Sequence, residues 1–419
     1  MFYGWRIVIV AAVAMALSNG MVSYSYGLLV LPVGTEFGAS RMEMMWGLTV
    51  SSLTTVLISP LVGSLMDRRP ARLLWLVGAA CLALGMALIA AARNVWQFVV
   101  AFGLIMAIGA AILGPIGTNT LVARWFAKHR GRALALTALG TSFGGLTIPL
   151  LLQTLIDARG WRNACLSLAG IALLVMVPPV WLIVRSRPAD LGLQPDGQAD
   201  AAHAAGAAAR ASEERLPGLM TDAAFWRIAL AVGALMAIFT VILANLVPFA
   251  IGHGVDPKPA ALLISAVSLA GISGKLLFSV FADRVNLKWA LLVALVLLGL
   301  PLAALTVVHH YWFMVLAAIS VGLSAGAFLP AWGALLARLF GPAIFGRVMG
   351  RMQPIAIVMV MLAMPLSGLL FDRTGSYSAT FLAMAGVAAL AFLVLLPLQG
   401  GSRPPAATIG APSTEAGGA

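Results

Sequence analysis

The feature that most constrains this chain is a succession of long apolar runs. Twelve follow one another, at 7–33, 45–66, 73–92, 98–123, 133–156, 164–184, 226–250, 261–282, 289–307, 313–337, 352–371 and 379–398. A hydrocarbon core of about 30 Å is crossed by roughly 20 apolar residues in a helix. Lipid satisfies no backbone hydrogen bonds, so a spanning segment is either a helix or a strand of a closed barrel. These runs are too long and too uniformly apolar for barrel strands. The expected fold class is an all-α membrane protein with twelve transmembrane helices. Composition agrees: 61% of the 419 residues are hydrophobic and 10% are charged, against about 45–50% and 25% in a soluble domain.

The formal net charge of +12 would point a soluble protein toward nucleic acid. Here the basic residues sit in short clusters between apolar runs, so they report topology, and the expected partner is the lipid bilayer. Nineteen Lys and Arg residues fall at the termini and in one alternating set of loops, six fall in the opposite set, and Lys275 lies inside a run. An excess of Lys and Arg marks the cytoplasmic face, which places both termini in the cytoplasm. Ala16-Leu17-Ser18 faintly resembles a signal-peptidase site, but its run continues to Val33, long enough to span. Cys81 and Cys165 lie within apolar runs and read as inert thiols rather than a disulfide. No Cys/His cluster has metal-ligand spacing, so neither a metal nor a cofactor is expected.

Residues 185–225 are polar and Ala-rich, including "QADAAHAAGAAARASEERLPG". This composition suits a flexible linker, although the Ala tract also suits a surface helix. It divides the chain into a first bundle at 1–184 and a second at 226–398, with a tail at 399–419 that reads as disordered. The halves resemble each other. Gly131-Arg132 matches Gly346-Arg347, Asp157 to Gly160 matches Asp372 to Gly375, and "SLMDRR" corresponds to "SVFADRV", all at offsets of 214 to 216 residues. Two similar six-span bundles about a central site form a transporter architecture. The expected fold is therefore two pseudo-symmetric six-helix bundles.

On these landmarks the chain resembles the major facilitator superfamily over about 390 residues. That family carries G-x-x-x-D-R-x-G-[RK]-[RK] between spans two and three. Here the loop has Gly63, Asp67, Arg68 and Arg72, with Pro70 and Ala71 replacing the second glycine and a basic residue; the second half keeps Asp283, Arg284 and Lys288. The resemblance implies that Asp67, Arg68, Arg72, Asp283 and Arg284 gate the cytoplasmic side. A carboxylate at a helix end can pair with basic residues and release them when the halves rock. "YGWRIV", "YSYGLLVLPVGTEFG", "RWFAKHRGRALAL", "GWRNA" and "RPADLGLQPDG" resemble bacterial members of the monocarboxylate and oxalate/formate transporter group. This implies a location in the bacterial cytoplasmic (inner) membrane and function as a monomer.

Lys275 interrupts the eighth run. A charge at such depth costs at least about 2.5–3.5 kcal/mol. All fourteen Asp and Glu residues fall outside the runs or at their ends, so no carboxylate partner is evident. Helical spacing places Ser265, Ser268, Gly271 and Ser279 on the lysine's face. Such a stripe suits a cavity or another helix, and snorkelling of the long stem toward the interface is the competing reading. In the resembled group, span eight carries a cation, usually arginine, that contacts the substrate carboxylate, and Lys275 occupies that position. Lysine offers a point charge rather than a bidentate fork. The group's other charged positions align with Ser23–Tyr24 and Gly271 and with nothing in "PIAIVMVMLAMPLSG". One intramembrane cation suggests a substrate with one dominant negative charge. Two couplings stay open: Lys275 itself exchanges a co-transported proton, or the protein is a facilitator or anion exchanger.

The resemblance also brings Asn19, Ser23, Tyr24 and Tyr26 in span one, Asn245 in span seven, and Phe328 and Trp332 in span ten toward a central cavity. The same residue types equally serve helix packing. Thr137, Thr141, Gly144, Gly322 and Gly326 read as close-packing positions. Gly140 to Gly144 matches G-x-S-x-G but lies inside a span, and Gly274-Lys275 lacks the upstream glycine of a phosphate loop, so no enzyme reading survives. The expected function is transport of small organic anions, monocarboxylates foremost. The alternative is a multidrug or other solute exporter on the same fold, and the shortage of intramembrane acid disfavours a cationic cargo.

Overall fold

The computed structural model describes residues 2–126, 129–194, 221–281, 286–340 and 345–398. Eleven helices among them are long and apolar enough to cross a membrane, and one of these, Arg132–Ile183, is 52 residues long. That helix breaks at Gly160, where φ is 76° and ψ is 161°. Side chains with a Cβ rarely adopt this conformation. It is therefore two spans joined end to end, and the count reaches twelve.

Span one comprises Gly4–Asn19, a π-helical turn at Gly20–Tyr24, and Tyr26–Phe37. Span two is Arg41–Arg68 and span three Ala71–Ala91. Span four runs as Val95–Val100, a π-helical Ala101–Met106, Ala107–Leu113 and Pro115–Trp125. Spans five and six occupy 130–159 and 161–183. Spans seven to twelve are Ala223–Gly252, Pro257–Phe281, Leu287–Leu305, Tyr311–Phe340, Phe345–Thr374 and Tyr377–Leu395.

Several spans start where a short polar side chain satisfies the free N–H groups of the first turn. Span two opens on a capping box: Ser40 Oγ accepts from the Glu43 N–H, and the Glu43 carboxylate accepts from the Ser40 N–H. The side chains of Asn94, Asp222, Asn286 and Ser376 each accept one first-turn N–H at the starts of spans four, seven, nine and twelve.

Spans one and four were expected to be continuous and are not. In span one the Ser25 hydroxyl donates to the Gly20 carbonyl across the π turn, at 2.7 Å. In span four Pro115 lacks an N–H, and its ring pushes Gly114 into extended backbone (φ −82°, ψ −161°), ending one helix and starting the next. Polar and small residues flank both breaks, at Ser18–Gly20, Ser23–Tyr26 and Gly117–Thr120, but each lies within a longer apolar run that reads as one span.

Each half repeats one packing plan. Span one packs on five, two on four and three on six; seven packs on eleven, eight on ten and nine on twelve. Small residues allow the closest approaches. Gly140 and Gly144 lie against the Ala12 and Ala16 carbonyls of span one, and Gly322 and Gly326 lie against the Val267 and Gly271 carbonyls of span eight. Without a hydrophobic drive between helices in lipid, such backbone contact supplies the packing energy. At one end of the first half, Arg162 donates to the Ala90 and Ala92 carbonyls and forms an ion pair with Glu36 at 2.6 Å, while the Trp161 indole N–H also donates to Glu36. Arg162, and then Trp161, hold the Glu36 carboxyl below the usual carboxylate range.

Candidate substrate cavity and the lysine bridge

The two halves meet along spans two and eleven, five and eight, and one and seven. At one end of this interface the Asp372 carboxylate accepts from the Arg41 and Met42 N–H groups at 2.8 and 2.9 Å. These are free donors of the first turn of span two, so a side chain of one half caps a helix of the other. Deeper in, Thr49 Oγ1 donates to the Met361 carbonyl at 3.3 Å.

Between spans five and eight the link is Lys275. Its amine donates to Thr141 Oγ1 and Ser142 Oγ, both at 3.0 Å, and to the Ala138 carbonyl at 3.3 Å. All three acceptors are neutral and lie on span five. Among the described residues no carboxylate pairs with this amine. Packing sets its direction: Gly326 of span ten presses on the Gly271 carbonyl and the Lys275 backbone nitrogen, so the opposite face of span eight turns to span five. The Ser265 hydroxyl donates to the Leu146 carbonyl on the same face, at 3.0 Å. Gly145 lies against both Ser268 and the Tyr24 ring. The polar stripe of span eight thus faces a helix of the other half. Thr141, expected as a packing position, is one of the two hydroxyls that hold the amine.

Separate from this bridge, a cavity of about 310 Å³ is lined from both halves, by spans one, two, four, seven and eleven. Asn19 and Ser23 are among its lining residues. Ser18, Ser51, Ser52, Thr55, Thr240 and Gln353 line it as well. The signal for span two was present in "TVSSLTTVLIS", a run of hydroxyls at helical spacing within an apolar segment.

The other expected residues lie elsewhere. Tyr26 is fully buried against Phe98 and Phe102, with its hydroxyl donating to the Met44 carbonyl. Asn245 is buried and donates to the Val241 carbonyl and Ser367. Phe328 and Trp332 are buried in span ten. Tyr24 packs at the five–eight contact, and Lys275 is not part of the lining. Of the expected gating residues, Arg68 is exposed at the end of span two, and the Arg72 guanidinium stacks 5.2 Å from the Trp181 ring centre. Asp283, Arg284 and the Asp67 side chain lie outside the described residues.

Twelve apolar helices in two bundles of like packing, with polar contacts between the halves and a cavity lined from both, are the architecture of a membrane transporter. The sequence matches the Major Facilitator Superfamily at residues 8–274 and again at 228–416, and the chain belongs to that family. It is 28% identical to monocarboxylate transporter 11 of Homo sapiens, across 91% of this chain and 79% of that protein. It is 26% identical to monocarboxylate transporter 13 of Rattus norvegicus, across 94% and 89% respectively. The multidrug resistance protein MdtG of Enterobacter lignolyticus is 29% identical across 74% of this chain and 72% of that one. In fold, the chain is similar to the D-xylose-proton symporter, with a TM-score of 0.74 and 15% identity over 94% of this chain and 98% of that one. An inward-facing, occupied bacterial homolog of the human lysosomal transporter Spinster gives a TM-score of 0.70 at 15% identity, over 94% and 97%. The protein is an integral membrane transporter and not an enzyme.

Proposed function

We propose that this transporter carries small organic anions, monocarboxylates foremost, by alternating access of its two halves, with Lys275 receiving the carboxylate. The observation that carries this reading is the partnering of Lys275. A cation within a span is held between the halves, among the described residues, by hydroxyls and a carbonyl alone. A carboxylate binds an ammonium more strongly than a neutral oxygen does, so an incoming anion can take the amine from span five and loosen the contact between the halves. The names of the monocarboxylate transporter relatives support the same cargo. Among the described residues no acidic side chain lines the 310 Å³ cavity, which disfavours the cationic drugs of the exporter reading.

The bundles at 1–184 and 226–398 rock about the cavity, with 185–225 as their linker. The distribution of Lys and Arg orients both termini toward the cytoplasm of a bacterial inner membrane. In that orientation Asp372 latches the outer side, and Asp67, Arg68, Arg72, Asp283 and Arg284 belong to the inner gate. A single copy is the working unit.

Uptake of labelled monocarboxylates into proteoliposomes, with and without a pH gradient, tests the reading. Lys275→Gln abolishes uptake and Lys275→Arg retains part of it. Full activity in Lys275→Gln would remove Lys275 from the site.

A further inference from the structure

The hydrogen-bond inventory of the cavity specifies more than its charge. Among the described residues no charged side chain lines it. Four lining side chains have already donated their protons to their own helices. Ser18 and Asn19 donate to the Met15 carbonyl at 3.3 Å, Thr55 to the Ser51 carbonyl at 2.8 Å, and Thr240 to the Met236 carbonyl at 2.8 Å. A carbonyl only accepts, which also fixes the Asn19 amide with Nδ2 toward Met15 and leaves Oδ1 as an acceptor. These four groups therefore offer lone pairs to a guest, Ser18 Oγ sharing one with Asn19 Nδ2 at 3.5 Å. Ser23, Ser51, Ser52 and Gln353 make no side-chain hydrogen bond to another described residue. Each can donate or accept.

Eight of the lining residues are apolar, among them Val22, Leu48, Ile116 and Ile357; on the polar part of the wall every group can accept and half are already committed as donors, which favours a guest's O–H and N–H groups there. The volume of about 310 Å³ reaches the roughly 300–1,000 Å³ range of small-molecule pockets. A three-carbon acid would fill only part of it, with nothing but its single hydroxyl to donate.

We propose that this cavity binds the uncharged body of the substrate through hydroxyl or N–H donors, so that the transported molecule is a polar, multiply hydroxylated or amide-bearing acid larger than a three-carbon acid. This inference rests on the anion reading for the carboxylate alone; the cavity's preference for donors stands on its lining. Ser51, Ser52 and Gln353 are then specificity-determining residues.

The test uses the full chain, purified in detergent and in proteoliposomes, with four probes: lactate, hexanoate, gluconate and sorbitol. Ligand-induced thermal stabilisation reads binding, and labelled uptake reads transport. Gluconate and hexanoate have equal carbon number and charge and differ in hydroxyls. Gluconate is favoured over hexanoate by about tenfold, as one or two hydrogen bonds of ordinary strength supply. Ser51→Ala/Ser52→Ala brings that ratio toward one, while Ser51→Thr/Ser52→Thr, which keeps both hydroxyls, retains the preference.

Hexanoate bound and carried as well as gluconate overturns the inference and leaves the anion reading standing. Sorbitol binding as tightly as gluconate, with both ahead of hexanoate, keeps the inference and removes the anion reading. No stabilisation by gluconate or sorbitol overturns the inference.

Discussion

At the residue scale, the behaviour of Lys275 follows from what a buried ammonium needs. It carries three donors, and the structure supplies three oxygens, all from the other half. Removing two of them in Thr141→Val/Ser142→Ala strands a charged donor, at a cost of about 1.5–3 kcal/mol per charge-assisted bond. The expected outcome is a lower unfolding temperature in detergent. The same pair of changes made on Lys275→Gln has a much smaller effect, since the charge is already gone; a double-mutant cycle measures the coupling. Glu36 gives a pH prediction. Its carboxyl titrates below the usual range when folded because of Arg162 and Trp161. Its contribution to stability is therefore present above the ordinary carboxylate pKa and is lost as pH falls through the folded value. Thermal unfolding of wild type and Glu36→Gln should converge on acidification. The gap at neutral pH should be small and should shrink with added salt, because the pair is exposed.

At the element scale, glycine spacing decides which helices touch. On span five, Gly140 and Gly144 recur one turn apart and bring its backbone onto span one, where any Cβ would meet a carbonyl oxygen. Gly144→Val forces the helices apart. Overpacking of this kind costs about 1–3 kcal/mol, and more where the obstacle is backbone. The expected result is a clear drop in thermal stability and in the folded fraction on size-exclusion chromatography. By contrast, Gly170→Ala on span six meets nothing within 4 Å and should leave both unchanged. The π turn at Gly20–Tyr24 places Ser23 on the cavity and Tyr24 on the five–eight contact. A regular helix would present these neighbours with a different angular offset.

At the scale of the whole molecule, polar contacts link the two halves where their helices pack. Asp372 illustrates this. Its carboxylate caps span two from span eleven, while Asp157, its counterpart in the repeat, accepts a bond from Gln153 in its own helix at 2.8 Å. The repeat is thus broken at the latch. Asp372→Ala removes two charge-assisted bonds to N–H groups, at about 1.5–3 kcal/mol each. That shifts the balance between open and closed forms at this end by tenfold or more, since about 1.4 kcal/mol is a factor of ten. Spin labels on the ends of spans two and eleven nearest Asp372 should report a longer distance in the variant. An unchanged distance distribution would show that the latch does not hold this end closed.

The sequence by itself determined the solvent, the class of element and the count of spans, because the length of an apolar run is matched to the thickness of a bilayer. It determined the two-fold repeat through landmarks at one offset, and it exposed Lys275, since one charge in an apolar run is visible without coordinates. Only the tertiary structure decided which faces meet. Apolarity is nearly uniform around these helices, so the pattern does not separate lipid-facing from buried sides. For that reason Tyr26, Asn245, Phe328 and Trp332 could not be told from cavity residues, the hydroxyls of span two went unnoticed, and the acceptors of Lys275 on span five were hidden. A partner more than 130 residues away in sequence is chosen by how helices pack, and that packing is written in glycine-to-carbonyl contacts between distant segments.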